Sequence, residues 1–270
     1  MPTSISAPPR PASRAIWTPF LLLCLIAAAA AIRRIVVLAL PPAPVASASP
    51  NAALDAVFAA RKGLTLAHII PALGFVTLLP FWFAQRIRTR PHLHRRITLA
   101  LFALGTVVGL TAIPMSARPV GGLTEQSAAL LYDGLFLAFL ARAWTAFRRV
   151  PLAGPERAKR VERVSGASRR EMNMDRTPEW AAYRIWMMRA IAVLLGIATT
   201  RPVMGVFFAT QRITHLRPDQ FFGIAFWIGF TTTYLAGEWY LRRHPVRNLY
   251  SQLSDVKAGR KFTRDELNER

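Results

Sequence analysis

Six apolar stretches, each long enough to cross a lipid bilayer, constrain this chain more than any other feature. Hydrocarbon offers a peptide group no hydrogen-bond partner, so a spanning segment must satisfy its own backbone as a helix of about 20 residues, ~30 Å long. The spans read as Trp17–Leu40, Leu64–Ala84, Ile97–Met115, Glu125–Phe147, Ile185–Phe208 and Phe221–Leu241. The expected fold is all-α: a polytopic membrane protein built as a six-transmembrane-helix bundle. Residues 1–16 precede the first span, 148–184 form a basic loop between the fourth and fifth, and 242–270 form a basic tail.

Charge supports the same class. The 270 residues are 53% hydrophobic yet carry 35 Lys+Arg against 14 Asp+Glu, a net charge of +21. In a soluble chain that excess would suggest a nucleic-acid partner. Here it follows the cytoplasmic bias of Lys and Arg in membrane proteins, and no nucleic-acid partner is expected. Six crossings from a cytoplasmic N-terminus place 25 of the 35 basic residues on the cytoplasmic side, and the opposite orientation reverses that ratio. Both ends are therefore expected in the cytosol. Trp17, Trp82, Trp144, Trp186 and Trp239 each fall near a proposed cytoplasmic helix end, the depth that amphipathic indole prefers.

The first span is the least regular. Its apolar run from Ala15 to Ile32 meets Arg33 and Arg34 and then resumes to Leu40. Basic residues ahead of an apolar run also fit a cleaved secretory signal. A retained helix is the reading adopted here, because the apolar character continues past the arginines. Pro41–Pro50 reads as an external loop, and the single cysteine, Cys24, leaves no disulfide and no thiolate metal site. The polybasic loop, with Arg157, Lys159, Arg160, Arg163, Arg169, Arg170 and Arg176, suits the anionic headgroups of the inner leaflet or serves simply as a topogenic loop.

Ionisable residues within spans carry the functional information, because they are costly in lipid and face a bundle interior, a partner or a water-filled cavity. Helical rise sorts them into two layers. Near the cytoplasmic face, within roughly 8 Å of it, lie Arg142, Arg189 and Glu238. A carboxylate among arginines favours a bidentate ion pair, assigned first to Arg189 with Glu238 and second to Arg142; snorkelling arginines are the competing account. Nearer the outer face, roughly 6–12 Å in, lie His68, Asp133 and Arg201. Pro202 and Pro71 loosen the helices at that level. These three residues are the candidate ligand-binding set, an outer polar pocket with an Asp–Arg pair; a structural hydrogen-bonded cluster is the alternative. Gly105 and Gly109 stand at GxxxG spacing and predict close helix packing, and Thr231–Thr233 read as structural.

Haem binding by paired histidines needs two at one depth. Of His68, His92, His94, His215 and His244, only His68 is well inside a span, which disfavours haem and leaves the cofactor unassigned. No catalytic triad or metal-ligand spacing occurs at common depth, so an enzyme is not the leading expectation. The leading reading is an integral membrane protein binding a small ligand or lipid in the outer pocket. A membrane redox protein using haem or quinone and an accessory or scaffold subunit of a larger membrane complex are the alternatives.

Four places taken in order resemble a family of bacterial membrane proteins known as domain of unknown function 2306. They are His68; the run Arg88, Arg90, Pro91, His94, Arg95; the run Arg184, Trp186, Met187, Arg189 with Arg201 beyond it; and Glu238. The resemblance implies an integral protein of the bacterial inner membrane whose activity is unassigned. The chain departs from the family pattern at Tyr183, commonly histidine, and at Thr98, commonly glycine. Loss of a histidine at 183 removes a partner for His94 and weakens any metal or haem role the family has.

Overall fold

In a computed structural model, residues 14–40, 52–88, 90–117, 119–150 and 178–243 are described. Expectations about residues 1–13, the external loop 41–50, residues 151–177 of the basic loop 148–184 and the tail from 244 lie outside them. The described residues form eight helices: α1 Arg14–Ala39, α2 Ala52–Ala59, α3 Lys62–Phe83, α4 Gln85–Arg88, α5 Pro91–Ser116, α6 Gly122–Arg149, α7 Pro178–Thr214 and α8 Pro218–Arg243. Five of them, α1, α3, α5, α6 and α7, contain stretches long and apolar enough to cross a membrane, the arrangement of a multi-pass helical membrane protein. At 26 residues α8 matches them in length but lacks a stretch as apolar as theirs, since Glu238 and three threonines interrupt it.

Each expected span lies within a helix or overruns it by one residue, and most helices continue beyond the apolar boundary. Nothing in a polar flank stops a helix unless its residues compete for the backbone, and here specific residues mark the ends. Pro91 occupies the first turn of α5, where its missing N–H costs nothing. Gly122 takes a φ of +63° at the start of α6, a conformation that glycine adopts freely. Glu125 then reaches back to accept the Gly121 backbone N–H at 2.5 Å, which secures one of the orphan donors of the first turn. At 37 residues, about 55 Å by the helical rise, α7 exceeds the thickness of a hydrocarbon core.

Five helices close a ring in the order α1–α3–α5–α6–α7, and α8 lies in the groove between α6 and α7. One end of the ring gathers Arg86, Arg95, Arg96, Arg148, Arg149, Arg242 and Arg243 and is called the basic end below. The half nearer it is solid. Phe75, Leu79, Trp82, Leu101, Tyr183 and Met187 are all buried there. Trp82 was expected as a headgroup anchor but is only 3% exposed: its indole N–H donates to the Tyr183 hydroxyl at 2.8 Å. Trp144 and Trp239, at 37% and 54%, keep the exposure that an interfacial anchor requires.

Small residues set the closest approaches. A Cβ on Gly105 would press on Phe75, Leu140 and Phe136, and one on Gly109 on Leu137, so the GxxxG spacing serves packing within the chain. Between α7 and α8 the fit is tighter. A Cβ on Gly229 would meet the Thr200 backbone nitrogen at 2.7 Å, and one on Gly196 the Phe230 Cα at 2.9 Å. Hydroxyls bridge the remaining gaps: Thr199 with Thr233, and Tyr132 with Thr231, both at 2.6 Å. Gly229→Ala must separate α7 from α8 and is expected to destabilise by about 1–3 kcal/mol in thermal unfolding of the purified protein. Gly134→Ala, where a Cβ meets nothing within 4 Å, is expected to be neutral or slightly stabilising.

Candidate functional site

Towards the end opposite the basic one, the ring is hollow. A cavity of about 520 Å³ is lined from α1, α2, α3, α5, α6, α7 and α8. His68, Asp133 and Arg201 all line it, so three helices deliver to one space the residues that depth alone grouped. The expected Asp–Arg ion pair is not formed, however. Ion pairs join Arg33 and Arg34 to Asp55 and Arg189 to Glu238, whereas Asp133 and Arg201 line the cavity without pairing with each other. Matched depth fixes only one coordinate; the rotation of α6 about its axis decides whether the two groups touch.

His68 is held by α5. Its Nδ1 lies 3.1 Å from the Val108 carbonyl and 3.0 Å from the Thr111 hydroxyl. That hydroxyl donates to the Val107 carbonyl at 2.6 Å, so the arrangement fits an Nδ1–H donating to Val108 and leaves Nε2 as the ring atom for a ligand. Arg201, on α7 immediately before Pro202, has its Nε buried with no hydrogen-bond partner among the described residues. Arg34 and Arg33, of its own sign, line the same cavity.

Those two arginines were read from sequence only as an interruption of the first span. In the fold they form part of the site. Arg34, its side chain 8% exposed, makes an ion pair with Asp55 and lays its guanidinium 4.1 Å from the centre of the Phe58 ring. Arg33, 47% exposed, reaches the same carboxylate at 3.1 Å. Asp55 and Phe58 belong to the short helix α2, which thereby caps the cavity. The Phe58 carbonyl also accepts from the Thr65 hydroxyl at 3.1 Å, and Arg61 donates to the Pro114 carbonyl at 3.2 Å. A lone aspartate in an Ala-rich run, on the same side of the membrane as two arginines, was the available signal in the sequence.

Below these groups the walls are apolar: Ala27, Ala72, Val76, Val193, Phe226 and Phe230. The site thus has a cationic mouth with Arg33, Arg34, Arg61 and Arg201 over an apolar chamber. Glu125 and Asp133 are its acidic lining, and Glu125 is engaged at the start of α6. His215 stands outside the cavity, exposed where α7 ends with a φ of 52°. His94, near the basic end, packs its ring between Trp82 and Trp180 at centroid distances of 6.0 and 5.4 Å. Among the described residues no group of three or more His, Cys, Asp or Glu is placed to hold a metal ion.

At the basic end Arg189 and Glu238 form a bidentate pair, Nε to Oε1 at 2.6 Å and the second nitrogen to Oε2 at 3.0 Å, which ties α7 to α8. Arg142 does not join it. Its exposed guanidinium lies 5.3 Å from the Trp186 ring, over which Arg189 is also placed at 4.7 Å. Indole shared by two cations replaces the carboxylate shared by two that was expected. Glu238→Ala leaves the Arg189 charge without its partner. Because Arg189 retains 27% side-chain exposure, the expected loss is about 2 kcal/mol, below the 3–5 of a fully buried pair. Thermal unfolding in detergent measures it; unchanged stability would show the pair to be ornamental. Set against known proteins, the chain matches no family model, no curated protein and no solved structure.

Proposed function

We propose that this chain is a six-transmembrane-helix protein of the bacterial inner membrane, both ends cytoplasmic, that binds a small ligand or lipid in its outer-facing cavity. The observation that carries this reading is the cavity itself. A volume of about 520 Å³ falls within the roughly 300–1,000 Å³ of small-molecule sites, and its mostly apolar wall with a few convergent polar groups is the usual composition of such sites. A bundle needing only stability would fill this space, since interiors elsewhere pack to crystal-like density. The other half of the same ring is filled in that way.

The orientation is supported by the clustering of Arg86, Arg95, Arg96, Arg148, Arg149, Arg242 and Arg243 at one end. The count of six takes α8 as a span, supported by its length and its close packing on α6 and α7. Membership of the domain of unknown function 2306 family is proposed on the same footing. Thr98 and Tyr183, its two departures, are hydrogen-bonded to each other at 3.1 Å, so they amount to one coupled change at one place.

Ala72 lies on the cavity wall, and Ala72→Trp places an indole in the chamber. The expected outcome is loss of any small molecule or lipid that co-purifies with the parent chain, measured by native mass spectrometry, with the helical content unchanged. Identical bound species in both proteins would rule out the cavity as the binding site. Reporter fusions at His215 and after Arg243 test the topology, which requires the first outside and the second inside.

A further inference from the structure

Resting on the reading of the cavity as a ligand site, we infer the chemical class of its occupant: an anionic amphiphile, an oxyanion head seated between Arg201 and Arg34 with an apolar chain in the chamber below. Arg201 carries the inference. An arginine keeps its proton at any physiological pH, and a buried charge without a partner is costly. Its Nε has no partner among the described residues, and Arg34 and Arg33, on the same cavity lining, add charge of the same sign. Asp55 is shared by those two arginines, and Glu125 holds the Gly121 N–H. Asp133 lines the cavity but forms no ion pair with Arg201 among the described residues. The cationic mouth therefore exceeds its protein counter-charges.

A guanidinium presents parallel donors whose spacing matches the oxygens of a phosphate or carboxylate, so two arginines facing one space select an oxyanion over a neutral head. His68 Nε2, left free by the hold of α5 on Nδ1, adds a third polar group to the same cavity. The wall formed by Ala27, Ala72, Val76, Val193, Phe226 and Phe230 offers a hydrated inorganic ion nothing in exchange for its water, whereas it suits a hydrocarbon chain. A membrane lipid and a free fatty acid or alkyl phosphate share this chemistry.

The test uses the full chain in a neutral maltoside detergent, with melting temperature read against added dodecyl phosphate, laurate, dodecyltrimethylammonium and inorganic phosphate. The Ala72→Trp protein serves as the reference with a blocked chamber. Expected is a rise on the order of 5 °C with dodecyl phosphate or laurate at saturation in the parent chain and not in the reference. Dodecyltrimethylammonium and inorganic phosphate should give none. Arg201→Gln should weaken the response to dodecyl phosphate by about tenfold to a hundredfold and raise the melting temperature of the protein without added probe, because an unpaired buried cation is gone. Native mass spectrometry with phosphatidylglycerol against phosphatidylcholine separates a lipid source from a free amphiphile. An equal response to the cationic and anionic probes overturns the anion assignment while leaving the cavity a ligand site, and inorganic phosphate matching dodecyl phosphate overturns the amphiphile assignment. No difference between the parent and Ala72→Trp with any probe removes the binding reading itself. The probe comparison needs no arginine variant and decides the matter even if Arg201→Gln fails to fold.

Discussion

A peptide group surrounded by hydrocarbon has only other protein groups to bond with, and this constraint orders the molecule at every scale. It makes each crossing a helix, and it leaves helix association to close packing and to polar atoms that find partners across the interface. Gly196 and Gly229 let α8 approach α7 to backbone contact, Gly237 lies against the Ala192 Cβ, and the threonine and tyrosine hydroxyls of these helices and α6 meet one another there. The Arg189–Glu238 pair closes the same interface at its basic end. A helix too polar to be comfortable alone in lipid is thus held by the polarity that makes it unsuited to lipid.

The two halves of the ring solve different problems. Towards the basic end, aromatic and long aliphatic side chains from four helices interlock, and the polar atoms of Trp82, Thr98 and Tyr183 satisfy one another inside that core. Towards the other end, alanines on α1, α3, α5 and α6 line a space that no large side chain fills. Beside that space α1 packs against α3 and α7. The short helix α2 brings Asp55 and Phe58 over Arg34, which fastens the cap to the wall it covers.

Electrostatics divides the arginines into kinds with different work. Those at the basic end bear on orientation through the positive-inside bias. Arg189 joins two helices. Arg34 and Arg201 are neither: both line the hollow half, where the Arg201 Nε is buried without a partner among the described residues and a low dielectric magnifies repulsion between like charges. Such an arrangement is retained at a cost in stability, and the cost is intelligible if the mouth of the cavity has an anion to receive.

Five of the six expected spans are long and apolar enough in the described helices to cross a membrane. The position and helical nature of the long apolar segments were legible in the sequence because they depend on local composition and on the thickness of hydrocarbon alone. So was the Arg189–Glu238 pair, since two opposite charges at one depth on consecutive helices have few other partners. Depth also grouped His68, Asp133 and Arg201, for the helical rise converts sequence position into height. Rotation about the helix axis and the order of helices around the ring are not encoded locally. The tertiary structure alone therefore decided that Asp133 and Arg201 stand apart, that Arg142 faces Trp186, that Trp82 is buried, and that Arg34 and α2 complete the cavity. Height along the membrane normal is written residue by residue, whereas contact in the membrane plane arises only from how neighbouring helices pack.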